Sequence, residues 1–368
     1  DHVVARMVED WRADRLWARL RAAFPEPAAL DGWVAYGGQD AEPLLTRAWG
    51  PRLTLHVCAG NVPGVAIQSL LDALLVKSPS LVKVASGEPL WAAAWAAMLA
   101  EELPILAESL AVLWWPGGSA ALEAAALEHA EALIANASAA TVADLRRRLP
   151  ARVRLLDYGS RISFAVVCRE ALAPGLLPEL AAGLAYDAAV FEQQGCVSPQ
   201  LVFVEDPAPD LLAALAAAID RALERLDGDL PRMPGAGAAA QARRLRDDLE
   251  WRELAGEPVA ARGPADGRWT IICDPAAPFA PGPGGRAVLL RPLADLAALP
   301  AMVEPFAPFL QSAALAAPPH RRVALAALLA EAGVTRVARV GRQGWPSPLW
   351  HHDGRDPLGA LVRWTDLE

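Results

Sequence analysis

Residues 53–64 read LTLHVCAGNVPG, an apolar run followed by a loop rich in Gly, Asn and Pro. The run at 53–58 predicts a β-strand, which the loop ends. Beyond the loop, apolar residues recur at helical spacing between Val65 and Leu75, as in a helix that faces a core. The segment is therefore predicted to be a βα unit, the building block of a parallel sheet.

The same alternation of strand-like and helical patterns continues along the chain. Further apolar runs lie at residues 81–84, 110–115, 132–135, 163–168, 201–205, 269–273 and 287–291. We therefore predict an α/β fold in which helices cover both faces of parallel strands. The predicted domains are residues 1–156, residues 157–341, and an arm over the surface at 342–368, where periodicity fades.

Composition and charge exclude several classes of protein. The chain has 368 residues, 54% of them hydrophobic and 21% charged, with a net charge of -9, as expected of a globular protein of two domains. Its basic run is short, at 146–148, which argues against a nucleic-acid partner. The longest stretch without charged residues, 53–71, contains too many polar residues for a membrane span.

The four cysteines, at 58, 168, 196 and 273, are widely separated. They provide neither zinc-site spacings nor a disulfide framework, so we predict no metal site and a reducing, cytoplasmic location. The sequence starts with Asp and not Met, so we expect a longer protein around it. Charges at residues 6–12 exclude a signal-peptide apolar region there.

Cys196 lies in the most informative loop, QQGCVSP at 193–199. Gly195 removes side-chain bulk, and the following Ser-Pro cannot extend a helix, so the thiol is predicted to be displayed on a turn. A reactive thiol belongs in such a place, although free cysteines are more often buried and inert. Neither common phosphate loop, G-x-G-x-x-G or G-x-x-x-x-G-K-[ST], is present, so a dinucleotide would be held differently.

Five segments together carry a family resemblance. They are AGNVP at 59–63, KVAS at 83–86, WWPGG at 114–118, QQGCVSP at 193–199 and WHHDG at 350–354. In this order they resemble the LuxC-type acyl-CoA reductases of the aldehyde dehydrogenase superfamily, from residue 53 to the C-terminus. The resemblance implies an aldehyde dehydrogenase-like fold with two Rossmann-like α/β domains and an active-site cleft between them.

The resemblance also implies an S-acyl mechanism. Cys196 would attack the carbonyl of an acyl thioester and hold the acyl group until hydride from a nicotinamide produces the aldehyde. Asn61 matches the asparagine that stabilises the oxyanion, together with the backbone N–H of Cys196. The alternative is that Asn61 only caps the next helix or shapes the turn.

The cofactor residues are carried over in the same way. Lys83 matches the lysine that meets the adenosine ribose, Gly117 lies in a matching loop, and Ser138 precedes the helix expected near Thr141, whose N-terminus would face the pyrophosphate. Many NAD-preferring members have a glutamate where this chain has Ser86, so NADPH is favoured. Glu88 is close enough in sequence to reverse this preference toward NADH.

Two positions remain open at this stage. Asp157 stands where the hydrolytic enzymes carry a glutamate that activates water, and the change favours thiol exchange over hydrolysis; its alternative role is structural, at the domain junction. His352 either assists proton transfer or contacts the thioester carrier, or it belongs to a docking segment. His56 is expected to be a hydrogen-bonded core histidine.

The leading hypothesis is an NADPH-dependent reductase of an acyl thioester, an acyl-CoA with a fatty acyl group. The alternatives are a CoA-acylating aldehyde dehydrogenase that works in the oxidising direction, and a non-catalytic assembly protein. The resemblance implies a homo-oligomer and a partner enzyme that activates or transfers acyl groups.

Overall fold

The computed structural model describes residues 2–36, 44–232, 236–282 and 284–368. The chain divides into two compact units. The first comprises Asp1–Ser160 with Ser347–Glu368, and the second comprises Arg161–Pro346. These divisions fall a few residues after the predicted ones.

The elements follow one another in the predicted α/β alternation. The strands are β1 (Val34–Tyr36), β2 (Leu44–Trp49), β3 (Thr54–Val57), β4 (Ser80–Lys83), β5 (Leu110–Leu113), β6 (Ala132–Asn136), β7 (Arg154–Tyr158), β8 (Ile162–Val167), β9 (Pro199–Glu205), β10 (Ala260–Arg262), β11 (Thr270–Cys273), β12 (Ala287–Leu293), β13 (Leu310–Ala316), β14 (Arg336–Arg339) and β15 (Arg363–Leu367). The helices are α1 (His2–Glu9), α2 (Ala13–Ala23), α3 (Val65–Leu75), α4 (Trp91–Glu102), α5 (Pro104–Ala107), α6 (Ala120–His129), α7 (Ala139–Arg148), α8 (Leu177–Ala189), α9 (Pro209–Asp229), α10 (Ala236–Leu254), α11 (Leu299–Val303) and α12 (Pro319–Glu331).

The first unit is built on a parallel five-stranded sheet in the order β5-β4-β3-β6-β7. The chain starts in the middle at β3, adds β4 and β5 on one side, and then returns to add β6 and β7 on the other. Strand order therefore reverses between β3 and β6. In doubly wound sheets such a reversal opens a crevice at the carboxyl ends of the strands.

A small antiparallel sheet, in the order β1-β2-β15, completes the first unit. Its last strand comes from the segment that we predicted to lie as an arm over the surface. Leu358 and Leu361 are each only 1% exposed and Val362 is 5% exposed, and they pack in one cluster with Phe24 and Leu156. The segment therefore supplies part of this unit's core.

The second unit is built on a seven-stranded sheet in the order β10-β11-β12-β9-β8-β13-β14. All its pairs are parallel except β10 with β11. Successive residues of the fully buried β8 lie on opposite faces. Phe164 packs with Phe203 and Phe279, whereas Ala165 belongs to the cluster that contains Leu184 of α8. Both faces are thus covered, as the continuous apolar run predicts.

The structure confirms the α/β class, the parallel sheets and every strand predicted from residue 53 onward, with ends that shift by one or two residues. The predicted strand at 110–115, for example, ends at Leu113. Among the described residues, none of the helices combines the length and the apolar character that a membrane crossing requires.

Candidate active site

The predicted cofactor residues follow the carboxyl ends of parallel strands in the first unit. Lys83 is the last residue of β4, and Ser86 lies three residues beyond it. Gly117 follows β5, and Ser138 follows β6. The structure thus brings these positions to one edge of one sheet, which is the edge where doubly wound folds bind nucleotides.

The hydroxyl of Ser86 is hydrogen-bonded to an uncharged side chain. Trp114 donates its indole N–H to the hydroxyl of Ser86 at 3.1 Å. The carboxylate of Glu88 accepts the backbone N–H of Trp91 at 2.8 Å, at the first turn of α4. Glu88 is therefore engaged with the first residue of α4, and the preference between NADPH and NADH stays a prediction.

Lys83 is held at the end of its strand by an aromatic ring. Its ammonium Nζ lies 5.8 Å from the ring centroid of Trp115, within the range of a cation–π interaction. The indole is buried and Lys83 is half-buried. The ring thereby holds the ammonium group near the carboxyl end of β4.

Ser138 is the N-cap of α7. Its Oγ accepts the backbone N–H of Thr141 at 3.2 Å, and the two hydroxyl oxygens lie 3.0 Å apart. Both residues are exposed. The cap satisfies one of the N–H groups that a helix start leaves unpaired, and it confirms that a helix begins near Thr141.

Gly117 and Gly118 form an open loop after β5. A Cβ atom added at either glycine would meet no other atom within 4 Å, and Gly118 adopts a φ of +82°. The N–H of Gly118 donates to the carboxylate of Glu123 at 3.3 Å. The loop is thus shaped by its own unit and leaves room for a ligand beside its backbone.

Asn61 lies in the exposed loop between β3 and α3. Gly60 allows this loop to pack closely, because a Cβ there would stand 3.0 Å from Cβ of Ala85. The N-cap of α3 is Gly64, in the left-handed conformation and without a side-chain cap. Both the oxyanion role of Asn61 and the alternative, in which it caps the helix or shapes the turn, stay predictions.

Cys196 is exposed on a turn immediately before β9, in the second unit. The N–H of Ser198 donates to the carbonyl of Gly195 at 2.9 Å and closes the turn. The predicted display of the thiol on a turn is confirmed. Whether this thiol is the nucleophile stays a prediction.

The other three cysteines lie in less accessible surroundings. Burial raises the pKa of Cys58 to about 12 and the pKa of Cys168 to about 11, and it also raises the pKa of Cys273. A raised pKa keeps a thiol protonated and unreactive near neutrality. Among the four, Cys196 is the exposed one.

The peptide of Cys196 is anchored by a buried serine that we did not predict. Ser163 on β8 donates its hydroxyl to the carbonyl of Cys196 at 2.7 Å, and its Oγ accepts the N–H of Ser312 on β13 at 3.1 Å. Register shifts occur on both sides of β8 at this level. Such bulges re-aim residues next to active sites.

Gln193 clamps the start of the cysteine loop. Its amide Nε2 donates to the carbonyls of Pro199 and Ala287 at 2.7 and 2.9 Å, and its Oε1 accepts the N–H of Ala287 at 2.9 Å. The side chain is only 3% exposed. The glutamine thus ties the residues before Cys196 to β9 and β12.

Three consecutive residues before the loop adopt left-handed backbone angles. Phe191, Glu192 and Gln193 have φ values of 55°, 55° and 59°, a region that costs residues with a Cβ about 1 kcal/mol or more each. Ion pairs between Glu192 and the buried Arg286 and Arg232 offset the strain at this residue. The strained turn is therefore held from both sides.

A second buried network lies below Ser163. Gln343 donates Nε2 to the carbonyls of Phe164 and Ser312 at 3.0 and 3.2 Å. Asp187 of α8 accepts the N–H groups of Gly341 and Gln343 at 2.6 and 2.9 Å. Burial raises the pKa of Asp187 to about 6, while these backbone N–H groups oppose the rise.

Asp157 lies near the end of β7 and is engaged by two arginines. Arg146 donates to its carboxylate at 3.1 Å, and Arg355 lies 3.5 Å from the other oxygen. Arg355 also donates to the carbonyl of Asp157 at 2.6 Å. These contacts favour the structural role of Asp157 in tying β7 to the C-terminal segment.

His352 is held between two aromatic rings. Its ring centroid lies 4.1 Å from that of Tyr158 and 4.6 Å from that of Trp350, with near-parallel planes. Arg355 stacks on Tyr158 as well. The structure thus places His352 and Asp157 in one cluster of the first unit and favours the docking role of this segment.

His56 is a buried, hydrogen-bonded histidine, as predicted. Its Nδ1 and Nε2 lie 2.7 and 3.1 Å from the hydroxyl oxygens of Ser69 and Ser80. Burial lowers its pKa to about 3. It therefore serves the core of the first unit as a neutral ring.

One group of potential metal ligands lies in the second unit. Ligand atoms of Cys168, Glu170 and Glu205 lie within 4.8 Å of one another. Arg321, however, donates to both carboxylates at 2.7 to 3.1 Å, and the N–H of Arg169 donates to Glu205. Guanidinium groups already neutralise the carboxylates that a cation would need.

The chain matches a family model as a whole. The model for acyl-CoA reductase (LuxC) matches residues 2–364. A long-chain acyl-protein thioester reductase of Aliivibrio fischeri is 25% identical over 345 residues, which are 92% of this chain and 67% of that protein. The chain thus spans about two thirds of the length of this relative.

Solved structures share the fold at low sequence identity. An oxidoreductase from Marinobacter aquaeolei superposes with a TM-score of 0.71 at 14% identity, covering 95% of this chain and 76% of that one. An indole-3-acetaldehyde dehydrogenase from P. syringae, solved in complex with NAD+, gives 0.67 at 15% identity over 95% and 75% of the two chains. The fold is therefore that of the aldehyde dehydrogenases.

Proposed function

From the premise that the chain belongs to the LuxC family of acyl-CoA reductases, we propose that it reduces an acyl thioester to an aldehyde through an S-acyl intermediate on Cys196. One observation carries the proposal. Among four cysteines, the exposed one stands on a turn whose backbone is fixed on both sides, by Ser163 and by Gln193.

The first step is thioester exchange at Cys196. The thiolate attacks the carbonyl carbon, the new C–S bond forms, and the carrier leaves as a thiolate that takes up a proton. The anchored carbonyl of Cys196 keeps its peptide in one orientation. A fixed peptide reduces the reorganisation that attack requires.

Two donors stabilise the oxyanion in this proposal. They are the side-chain amide of Asn61 and the backbone N–H of Cys196, as the family resemblance implies. Removing one such donor typically costs about 2.7–4 kcal/mol of transition-state stabilisation.

The residues at the strand edge of the first unit fit a nicotinamide dinucleotide. Lys83 would meet the adenosine ribose, Ser86 the 2′ position, and Gly117, Ser138 and Thr141 the pyrophosphate and its helix terminus. When bound, the reduced nicotinamide supplies the hydride that brings the acyl carbon to the aldehyde level. The neutral Ser86 and the engaged Glu88 support NADPH as the preferred form.

The chain releases the aldehyde by breaking the bond formed in the first step. The oxyanion of the thiohemiacetal re-forms a carbonyl, the C–S bond breaks, and the thiolate of Cys196 returns. Asp157, held by Arg146 and Arg355, is assigned to the framework and not to activation of water. In this proposal the S-acyl intermediate therefore reacts with hydride and not with water.

The names of the relatives support a proposal for the substrate class. Because the Aliivibrio fischeri protein is named a long-chain acyl-protein thioester reductase, we assign this chain a fatty acyl group presented on coenzyme A or on a protein thiol. We also propose a cytoplasmic homo-oligomer that receives acyl groups from an activating or transferring enzyme. His352 then belongs to the docking segment.

The proposal is tested by following both products of one reaction. With a long-chain acyl-CoA and NADPH, we expect aldehyde, trapped as a hydrazone, to form in equal amounts to the NADPH consumed. Cys196→Ala should give neither, whereas Cys273→Ala should leave both unchanged.

Two results would contradict the proposal. Release of free fatty acid without aldehyde would identify a hydrolase. Faster formation of acyl-CoA from aldehyde, NAD and coenzyme A than of aldehyde from acyl-CoA would identify an acylating dehydrogenase working in the oxidising direction.

A further inference from the structure

The guanidinium of Arg336, the first residue of β14, lies in a socket of oxygen acceptors close to the cysteine loop. Its Nη1 donates to the hydroxyl of Ser312 at 3.2 Å and to the carbonyl of Gln343 at 2.7 Å. Its Nη2 donates to the carbonyl of Arg342 at 3.0 Å. Three directed acceptors fix the planar group in one orientation.

The socket is linked to the nucleophile through two buried serines. Ser312 accepts from Arg336 and donates its own N–H to Ser163, which in turn donates to the carbonyl of Cys196. Both serines are fully buried. A continuous chain of hydrogen bonds therefore joins the guanidinium to the backbone of Cys196. The Cys196 thiol acts to raise the pKa of Arg336, as an acidic neighbour does.

The charges that face Arg336 come from two elements. Asp187 on α8 is the facing carboxylate, and Cys196 is the facing thiol. The oxygens of Asp187 accept the N–H groups of Gly341 and Gln343, so they hold the loop that provides carbonyl acceptors to Arg336. Burial lowers the pKa of Arg336 to about 10, with both facing groups acting in the opposite direction. The guanidinium is charged at neutral pH.

We propose that Arg336 is the cation that stabilises the thiolate of Cys196. This inference rests on the proposed function only for the reaction that the thiolate performs. A neighbouring positive charge favours the charged form of a thiol and lowers its pKa by about 1–3 units. An arginine is suited to this task because it does not release its own proton to the thiol. Arg336 acts through Cys196 and is thus a positioning residue for the charge.

The test measures the thiolate directly. The rate of alkylation of Cys196 by iodoacetamide is followed against pH in the full chain, with the modified peptide identified by mass spectrometry. The midpoint of this profile is the thiol pKa, and the plateau at high pH reports the accessibility of the sulfur. Neither quantity depends on a cofactor or on acyl transfer.

Two variants remove the cation to different degrees. Arg336→Gln is expected to raise the midpoint by about one pH unit or more, with the plateau unchanged and the rate at neutral pH about tenfold lower. Ser312→Ala removes one of the three acceptors, and its midpoint is expected between those of the native protein and Arg336→Gln. Arg336→Lys keeps the charge and should retain most of the effect.

Arg339→Gln is the matched control, because Arg339 is exposed and lies on the same strand. Its midpoint should equal that of the native protein. An unchanged midpoint in Arg336→Gln, or a loss of plateau at an unchanged midpoint, would overturn the proposal. If Arg336→Gln does not fold, an unchanged midpoint in Ser312→Ala overturns it.

The outcome is separable from that of the proposed function. A protein that forms no acyl adduct but shows the midpoint shift would retain the thiolate inference and lose the reductase. A protein that reduces acyl thioesters with the same midpoint in every variant would retain the reductase and lose the role of Arg336.

Discussion

Cys196 and Ser86 show how single side chains acquire a role from their immediate neighbours. Cys196 is exposed, while burial keeps the other thiols protonated. At Ser86, Trp114 donates to an uncharged hydroxyl, and under the proposed function this position meets the 2′-phosphate of NADPH. Cys196 differs from the other cysteines in that it is not buried, and Ser86 differs from a glutamate in that it carries no charge.

Ser86→Glu is predicted to reverse the cofactor preference. The introduced carboxylate accepts hydrogen bonds from a ribose 2′-OH and repels a 2′-phosphate, so kcat/KM with NADPH should fall at least about tenfold relative to that with NADH. The ratio is measured from initial rates with each cofactor. Ser86→Gln, of similar length without charge, should shift it much less. A Glu variant that still prefers NADPH would contradict the assignment.

At the scale of elements, the turn that carries Cys196 is held by contacts from elements that are distant in sequence. Gln193 reaches β9 and β12, Ser163 comes from β8, and Asp187 of α8 orders the loop after β14. The strained left-handed turn that starts at Phe191 persists because these contacts over-determine it. The turn is rigid because of its surroundings and not because of its own sequence.

Asp187 makes the stability of this assembly dependent on pH. Its folded pKa of about 6 lies above its ordinary value of 3.8, because burial disfavours the charge. The contribution of the group to stability is therefore complete below about pH 4 and is lost as the pH rises through 6. Asp187→Asn cannot titrate. The free energy of unfolding of the native protein minus that of the variant should thus fall by on the order of 2–3 kcal/mol between pH 4 and pH 7.

Denaturant unfolding of both proteins at several pH values measures this difference. Asp206→Asn, at an exposed position, is measured in parallel as the control variant. If the free energy of unfolding of the native protein minus that of Asp187→Asn stays constant or rises with pH, the pKa of Asp187 is not raised in the folded protein, and the account is contradicted.

Much of the fold was predictable because its signals are local. Apolar runs of strand length and loops with Gly, Asn and Pro lie within a few residues of one another, so periodicity locates β3 and α3 directly. The same holds for the exposure of Cys196. The support of the site was not predictable, because Ser163 and Cys196 are 33 residues apart and Arg336 lies far beyond both. A polar residue at the start of an apolar run was the signal for Ser163.

At the scale of the whole molecule, the C-terminal segment belongs to the first unit. It contributes β15 to the small sheet and three nearly buried apolar side chains to the core. Periodicity did not indicate this, because the segment folds back on residues more than 300 positions earlier, such as Thr46. Because the C-terminal segment has little periodicity, its sequence did not indicate that it contributes to the core of the first unit.

Truncation after Pro346 is predicted to unfold the first unit. The loss of Leu358, Leu361 and Val362 removes about 1.5–3 kcal/mol each, in addition to the pairing of β15. This sum is comparable with the whole stability of a typical domain. Limited proteolysis should then cleave within residues 1–160 while residues 161–346 stay protected. Truncation after Asp366, which removes two exposed residues, is the control, and equal resistance of both truncated chains would contradict the account.

The central claim is the covalent intermediate on Cys196, and intact-mass spectrometry after incubation with a long-chain acyl-CoA, without cofactor, tests it most directly. The account predicts a mass increase of one acyl group on the native protein, its disappearance on addition of NADPH, and no increase on Cys196→Ala. An acyl adduct that persists in Cys196→Ala, or no adduct on the native protein from any acyl thioester, would contradict it.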